Sequence, residues 1–193
     1  DIEKLQKGYQ NKEYKISEVV KSYLERIEKV DKNGAKLNSV ITVNPDAMKI
    51  ADSLDQVPLQ LRKGALFGVP VLLKDNIDTK DKMPNTAGSL AMKDSFPLHD
   101  AFLVEKLRKS GAIIIGKTNL SEWANFRGMM SVCGWSGNGG LTKNPYDLTR
   151  NTCGSSAGSG AAISANLGIF AIGTETNGSI ICPSSVNGIV GLK

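Results

Sequence analysis

The chain has only one histidine, His99, and three cysteines among its 193 residues. A single histidine excludes a multi-histidine metal centre, and a serine–histidine–aspartate hydrolase would have to use His99. Cys133, Cys153 and Cys182 form no CxxC pair and have no zinc-ligand spacing. This number fits two arrangements. One is three free thiols in a reducing compartment, and the other is one disulfide with a thiol left over. The residue content therefore predicts no metal and no other cofactor.

Long apolar runs and one-sided charge are also absent. No window approaches the ~18 uninterrupted apolar residues of a membrane span. The formal charge is +5, from 24 Lys+Arg against 19 Asp+Glu, and no run of five basic residues occurs. We interpret the basic residues as a solvated surface and expect no nucleic-acid partner. With 40% apolar and 22% charged residues, the composition is typical of a globular protein, and the length fits one domain or part of a larger one.

Short apolar segments alternate along the chain with segments that have helical spacing. Segments rich in β-branched and other apolar residues predict strands at 39–43, 69–73, 112–115 and 169–173. Apolar periodicity and small-residue runs predict helices at 17–30, 46–54, 100–110, 119–126 and 154–166. Because helices and buried strands alternate, the pattern predicts an α/β fold with a mixed, largely parallel twisted sheet flanked by helices.

Three segments combine reactive side chains with a backbone suited to negative charge. Lys74 directly follows the apolar run 69–73, and burial of a lysine lowers its pKa because the charged form is disfavoured. Segment 153–160 puts small residues and hydroxyls at a helix start but lacks the P-loop and dinucleotide patterns. Segment 174–179 is a glycine-bearing loop ending in Ser179, which can aim several N–H groups at one point. Each segment taken alone also fits a purely structural role.

Taken together, these segments predict nucleophilic catalysis that does not use histidine. A nucleophilic serine needs a base within hydrogen-bond reach. A desolvated, neutral lysine can be that base, acting directly or through a second serine. His99 follows Phe-Pro-Leu at a predicted helix start, and we interpret it as a residue with a local structural or surface role.

The same segments resemble the amidase signature family over nearly the whole chain, more loosely in its first part. The matching motifs are Gly68-Val-Pro-Val-Leu-Leu-Lys74-Asp-Asn-Ile-Asp-Thr79, Gly111-Ala-Ile-Ile-Ile-Gly-Lys-Thr-Asn-Leu-Ser-Glu122, Asn144-Pro145-Tyr146, Gly154-Ser-Ser-Ala-Gly-Ser159, Gly173-Thr-Glu-Thr-Asn-Gly-Ser-Ile180 and Gly188-Ile-Val-Gly-Leu-Lys193. The family's order and spacing are kept throughout. Since family members are longer, the resemblance implies that residues 1–193 are the amino-terminal portion of a single amidase signature domain.

The resemblance implies a Ser-Ser-Lys triad without metal or cofactor. Ser179 matches the family's nucleophile and Lys74 its base, while Ser155 matches the bridging serine, which the family holds next to a cis peptide bond. The N–H groups that match the family's oxyanion hole are those of Thr176, Asn177, Gly178 and Ser179. The loop with Met129, Met130 and Ser131 matches one from which family members contact the substrate or the triad. From it we predict Met130 and Ser131 as substrate-binding residues.

The chain departs from the common family pattern at two places. Many members have glycine where this chain has Cys153, and Asp-x-Gly-Gly-Ser-Ile-Arg where it has Glu175-Thr-Asn-Gly-Ser-Ile-Ile181. The missing glycine and arginine argue against close kinship with the tRNA-linked glutamine amidotransferase subunits. The segment Gly134-Trp-Ser-Gly-Asn-Gly-Gly-Leu-Thr, with Cys-Gly-Ser-Ser and Gly-Ser-Ile-Ile-Cys-Pro, resembles the peptide amidase branch, which removes the C-terminal amide of peptides.

The function implied by the resemblance is hydrolysis of carboxamide C–N bonds in linear amides through a serine acyl-enzyme. The expected substrate is a small-molecule or peptide amide. One alternative is a glutamine amidotransferase-type subunit, which needs a protein partner; another is an inactive fragment or binding module. We expect a cytoplasmic protein, with export followed by signal removal as the alternative.

Overall fold

A four-stranded sheet forms the centre of the structure, a computed structural model that describes residues 1–193. Its strands are β1 (Val40–Val43), β2 (Pro70–Lys74), β3 (Ile113–Thr118) and β6 (Phe170–Ile172), in the order β1-β3-β2-β6. Strand β2 runs parallel to both β3 and β6, and only β1 is antiparallel to its neighbour. Every residue of β2 and β3 is buried, as expected for strands covered on both faces. The predicted mixed, largely parallel sheet is confirmed.

Six α-helices and a separate small strand pair surround this sheet. The helices are α1 (Ile2–Gln10), α2 (Ile16–Arg26), α3 (Ala47–Asp55), α4 (Phe102–Lys109), α5 (Ala157–Ser164) and α6 (Ile181–Val186). A π-helical turn (Ile27–Lys32) continues α2, and strands β4 (Trp135–Ser136) and β5 (Gly140–Leu141) pair with each other. The longest helix has 11 residues, and none has the length and apolar character needed to cross a membrane.

The predicted strands and most predicted helices are present; the pair β4–β5 is additional, and the helices show three differences. The predicted helix at 17–30 is split into α2 and the π-helical turn. Helices α1 and α6 are additional to the predicted helices. Helix α6 has only six residues and contains a proline, so its helical pattern in the sequence is weak. The predicted helix at 119–126 is wrong: a short turn (Glu122–Asn125) replaces it, in which Trp123 and Ala124 have φ of 51° and 54°. These left-handed values break any regular right-handed helix.

Side chains from the two faces of the sheet form two apolar layers. Leu72, Ile113 and Ile115 pack with residues of α1, α2 and α3 on one face. Val71, Leu73 and Ile114 point to the other face, where they pack with residues of α4. This alternation along each strand follows from the two-residue period of side-chain direction. The two layers hold β2 rigidly, and with it the lysine at its carboxyl end.

Helix α5 packs directly onto the backbone that follows β3. A Cβ atom at Gly158 would lie 2.5 Å from the backbone nitrogen of Asn119, so no larger residue fits there. A glycine inside a helix costs about 1 kcal/mol of helix propensity relative to alanine, and this close approach explains its presence. The start of α5, and the turn that precedes it, are thereby fixed beside the end of β3.

Candidate active site

The three segments singled out from the sequence meet at the carboxyl end of the parallel strands. Lys74 is the last residue of β2, and β2 pairs in parallel with β6, so Lys74 lies beside the loop that follows β6. The turn before α5 supplies Ser155, and Ser121 donates its N–H to the Ser155 carbonyl at 3.0 Å. Functional groups of open α/β sheets gather at this edge, because loops from neighbouring strands leave the sheet together there.

The amine of Lys74 is enclosed by oxygen atoms from two of these segments. Lys74 is fully buried, and its Nζ lies 2.7 Å from Ser155 Oγ. It also lies 2.8 Å from Thr174 Oγ1 and 3.1 Å from the Thr174 carbonyl oxygen. Burial lowers the pKa of Lys74 from 10.5 to about 7, although the negative charge of Glu175 acts in the opposite direction. A lysine with this pKa can exist as a neutral base near neutral pH.

Ser155 is fully buried in the turn that precedes α5. The peptide bond between Gly154 and Ser155 is cis, the feature that the family resemblance implied at this position. The next residue, Ser156, donates its N–H to the Ser179 carbonyl oxygen at 3.0 Å. This contact joins the turn to the loop that carries Ser179.

Ser179 is half-buried, and its hydroxyl makes no hydrogen bond within the chain, including to Ser155. It lines a cavity of about 440 Å³ together with ten other residues. These are Ala124, Asn125, Phe126, Cys133, Cys153, Gly154, Thr176, Asn177, Gly178 and Cys182. The Ser179 hydroxyl is therefore available to a molecule bound in the cavity. Before substrate binds, catalytic hydrogen bonds are often long or poorly aligned, and they tighten only in the substrate complex.

The loop before Ser179 offers backbone N–H groups without partners. The N–H groups of Thr176, Asn177 and Ser179 donate to no atom of the chain. Gly178 differs, because its N–H donates to Glu175 Oε1 at 2.7 Å. Three of the four predicted oxyanion-hole donors are thus free, and the fourth is engaged.

Glu175 organises this loop, a role that sequence reasoning missed. Its carboxylate accepts N–H groups from Ile180 at 2.6 Å, Ile181 at 3.0 Å and Gly178. These bonds favour the charged form and lower the pKa of Glu175 to about 2. A signal was present, since an acidic residue stands inside a loop of otherwise small and polar residues.

Met130 and Ser131 lie outside the cavity that contains Ser179. Met130 is more than nine-tenths exposed, and Ser131 Oγ donates to the Gly128 carbonyl oxygen at 2.8 Å. Both residues line a second cavity of about 510 Å³ with Glu122, Arg127, Gly128, Val132 and Trp135. The structure does not bring these two predicted substrate-binding residues to the Ser179 cavity.

A disulfide joins two of the segments that border the cavity. Cys153 and Cys182 are bonded, with 5.9 Å between their Cα atoms, and Cys133 is free. This is the second arrangement that the cysteine number allowed. The bond links the turn holding Ser155 to α6, which begins two residues after Ser179. His99 is exposed, and no group of three or more His, Cys, Asp or Glu side chains is placed to hold a metal ion.

Comparison with known proteins finds one family and several similar structures. The family described as Amidase matches residues 18–193. The chain is 45% identical over 195 residues to a probable amidase of Arabidopsis thaliana, covering all of this chain and 38% of that protein. It is 43% identical over 177 residues to a glutamyl-tRNA(Gln) amidotransferase subunit of Archaeoglobus fulgidus, covering 91% of this chain and 36% of that protein.

The native peptide amidase of Stenotrophomonas maltophilia has a similar structure. It superimposes with a TM-score of 0.96 at 49% sequence identity, covering 99% of this chain and 39% of that one. The chain thus spans less than two fifths of the length of each of these three proteins.

Proposed function

The chain belongs to the amidase signature family, and from this premise we propose that it carries the catalytic centre of an amidase that hydrolyses carboxamide C–N bonds in linear amides. In this proposal Ser179 is the nucleophile, Ser155 the bridging serine and Lys74 the base. The observation that supports it best is the 2.7 Å contact between the fully buried Lys74 amine and Ser155 Oγ. Lysine replaces the histidine of other serine hydrolases because burial lowers its pKa to about 7.

The first half of the reaction forms an acyl-enzyme. Neutral Lys74 takes the proton of Ser155, which takes the proton of Ser179 as Ser179 Oγ attacks the amide carbonyl carbon. The unengaged N–H groups of Thr176, Asn177 and Ser179 stabilise the oxyanion. One such donor in other hydrolases is worth about 10²–10³-fold in kcat. The proton then returns through Ser155 to the nitrogen that leaves as ammonia or an amine.

Water releases the acid in the second half of the reaction. It enters the cavity after the amine has left and loses its proton along the same Ser155–Lys74 path. Attack on the acyl carbon expels Ser179, which is reprotonated. Lys74 is neutral again at the end, so no group outside the chain has to supply or accept a net proton for the next cycle.

The substrate class we propose is the C-terminal carboxamide of peptides. The likeness to the Stenotrophomonas maltophilia peptide amidase supports it. The cavity beside Ser179 also includes the apolar side chains of Ala124 and Phe126. The 43% sequence identity with the amidotransferase subunit supports a second candidate function, which is glutamine hydrolysis within an assembly. Activity on peptide amides without added protein supports the first, and glutamine hydrolysis that requires a partner supports the second.

The test compares the complete natural protein with its Ser179→Ala variant on a panel of peptide amides and glutamine. We expect Ser179→Ala to lower kcat at least about 10³-fold and to abolish labelling by a serine-directed fluorophosphonate. Ser185→Ala, which changes an exposed serine of α6, is the matched control and should keep both properties. Turnover and labelling that persist in Ser179→Ala would place the nucleophile elsewhere.

A further inference from the structure

Thr174 supplies two of the three oxygen atoms around the Lys74 amine. Its side-chain Oγ1 lies 2.8 Å from Lys74 Nζ, and its carbonyl oxygen lies 3.1 Å away. The third oxygen is Ser155 Oγ. Protonated Lys74 has three N–H donors and can satisfy all three oxygens at once, whereas the neutral amine has two N–H groups and one lone pair.

The position of that lone pair decides whether Lys74 can act as a base. A carbonyl oxygen only accepts hydrogen bonds, so the Thr174 carbonyl takes one N–H. If Thr174 Oγ1 takes the other N–H, the lone pair points at Ser155 Oγ and can receive its proton. If Ser155 takes the second N–H instead, its own proton points away from the amine and cannot be transferred.

Thr174 is itself held by neighbouring polar groups. Asn76 Nδ2 donates to Thr174 Oγ1 at 3.0 Å. Ser156 Oγ donates to the Thr174 carbonyl at 3.1 Å and accepts the Thr174 N–H at 3.2 Å. The approach is close, since a Cβ atom at Gly173 would lie 2.6 Å from Ser156 Oγ. Both oxygens of Thr174 therefore have fixed positions relative to the end of β2.

We propose that Thr174 is a positioning residue that occupies both N–H groups of neutral Lys74 and so directs the lone pair of the amine to Ser155. The inference rests on the proposed function, because it assigns Lys74 as the base. Thr174 acts through Lys74 and contacts none of the reacting atoms of the substrate.

Replacement of Thr174 by valine removes Oγ1 and keeps the carbonyl oxygen. The protonated amine then has two acceptors for three N–H groups, while the neutral amine can still place both of its N–H groups, on the carbonyl and on Ser155. The neutral form is favoured, but Ser155 becomes an acceptor and its proton points away. In Thr174→Val we therefore expect kcat to fall at least 10-fold, KM to change less than two-fold, and the acid limb of the pH–rate profile to move to lower pH.

The experiment measures kcat and KM against pH for the complete natural protein and its variants. Glu175 is the charged group that acts on Lys74, and it is unchanged in every variant. Thr174→Ser keeps both oxygens and should restore kcat to within about three-fold, with the limb at the wild-type pH. Thr149→Val, which removes an exposed hydroxyl bonded only to Asp147, controls for the substitution type. Circular dichroism and thermal unfolding establish that each variant is folded.

Two results would overturn the inference. One is wild-type kcat and an unmoved limb in Thr174→Val. The other is an equal loss of kcat in the valine and serine variants without any movement of the limb, which would make Thr174 merely structural. If Thr174→Val does not fold, Asn76→Ala replaces it, since it releases the Thr174 hydroxyl; it should lower kcat with KM unchanged, and wild-type kcat would contradict the inference. Failure of the proposed function is distinct, because the wild-type protein itself would then show no Ser179-dependent amide hydrolysis.

Discussion

Replacement of Lys74 by methionine should separate the stability of the fold from its activity. The Lys74 amine is fully buried among neutral oxygens, without a carboxylate in ion-pair contact. Burial lowers its pKa from 10.5 to about 7. Methionine has a similar length, fills irregular space well and carries no charge. The variant therefore removes the buried ionisable group with little change in packing.

The expected effect has a definite sign and pH window. The folded pKa lies below the unfolded value, so between about pH 7 and 10.5 the unfolded chain binds a proton that the folded chain does not. The wild-type free energy of unfolding therefore gains up to about 1.4 kcal/mol per pH unit as pH rises through this window, about 5 kcal/mol in all. Below about pH 7 the folded protein bears the full cost of the buried charge. Lys74→Met lacks this dependence.

Urea unfolding of both proteins at several pH values between 6 and 9.5 measures the difference. At pH 6 we expect Lys74→Met to be at least as stable as wild type, and the wild-type protein to gain on the variant as pH rises. Lys117 is also buried with a lowered pKa, but it is present in both proteins and cancels. Lys80→Met, which removes an exposed lysine, controls for the change in net charge.

Parallel stability curves over the whole range would refute the reasoning. They would show that Lys74 binds its proton equally well in the folded and unfolded states. Lys74 could then not act as a base of lowered pKa. Because Lys74→Met lacks the proposed base, we expect its amide hydrolysis to be absent at every pH.

Further predictions concern the base, the disulfide and the need for metal. Lys74→Arg should be inactive because a guanidinium does not deprotonate near neutral pH, while His99→Ala should keep the wild-type pH–rate profile. An active Lys74→Arg together with an inactive His99→Ala would require a histidine mechanism. In urea unfolding, serine at both Cys153 and Cys182 should cost about 3.6 kcal/mol by the chain-entropy relation for a separation of 29 residues. Cys133→Ser is its control, and equal midpoints for the double variant and wild type would contradict a disulfide in solution. Dialysis against a chelator should leave amide hydrolysis unchanged, and a loss restored by zinc or magnesium would contradict the proposed mechanism.

Local patterns in the sequence were sufficient to predict the sheet and to single out Lys74 at its edge. The apolar run that ends in Lys74 predicts a strand buried on both faces, and in the structure the lysine at its end is fully buried as well. The small-residue run 154–166 predicted a helix, and at Gly158 that helix closely approaches the backbone of Asn119. These features depend on residues that are neighbours in the chain, so periodicity and composition report them directly.

Contacts between distant segments could not be predicted from such local patterns. Thr174 lies 100 residues from Lys74 and meets it only because β6 pairs in parallel with β2. The engagement of the Gly178 N–H by Glu175 depends on how the loop folds back on itself. The position of Met130 outside the Ser179 cavity likewise follows from the path of its loop.

The sequence by itself determined which residues are buried in strands, where the chain turns, and which side chains could act as nucleophile and base. Only the tertiary structure decided which N–H groups stay free, which oxygens surround the Lys74 amine, and which two of the three cysteines are bonded. The physical reason is that hydrophobic periodicity is a property of short segments. Hydrogen-bond partners at a site are set by the order and register of strands far apart in the chain.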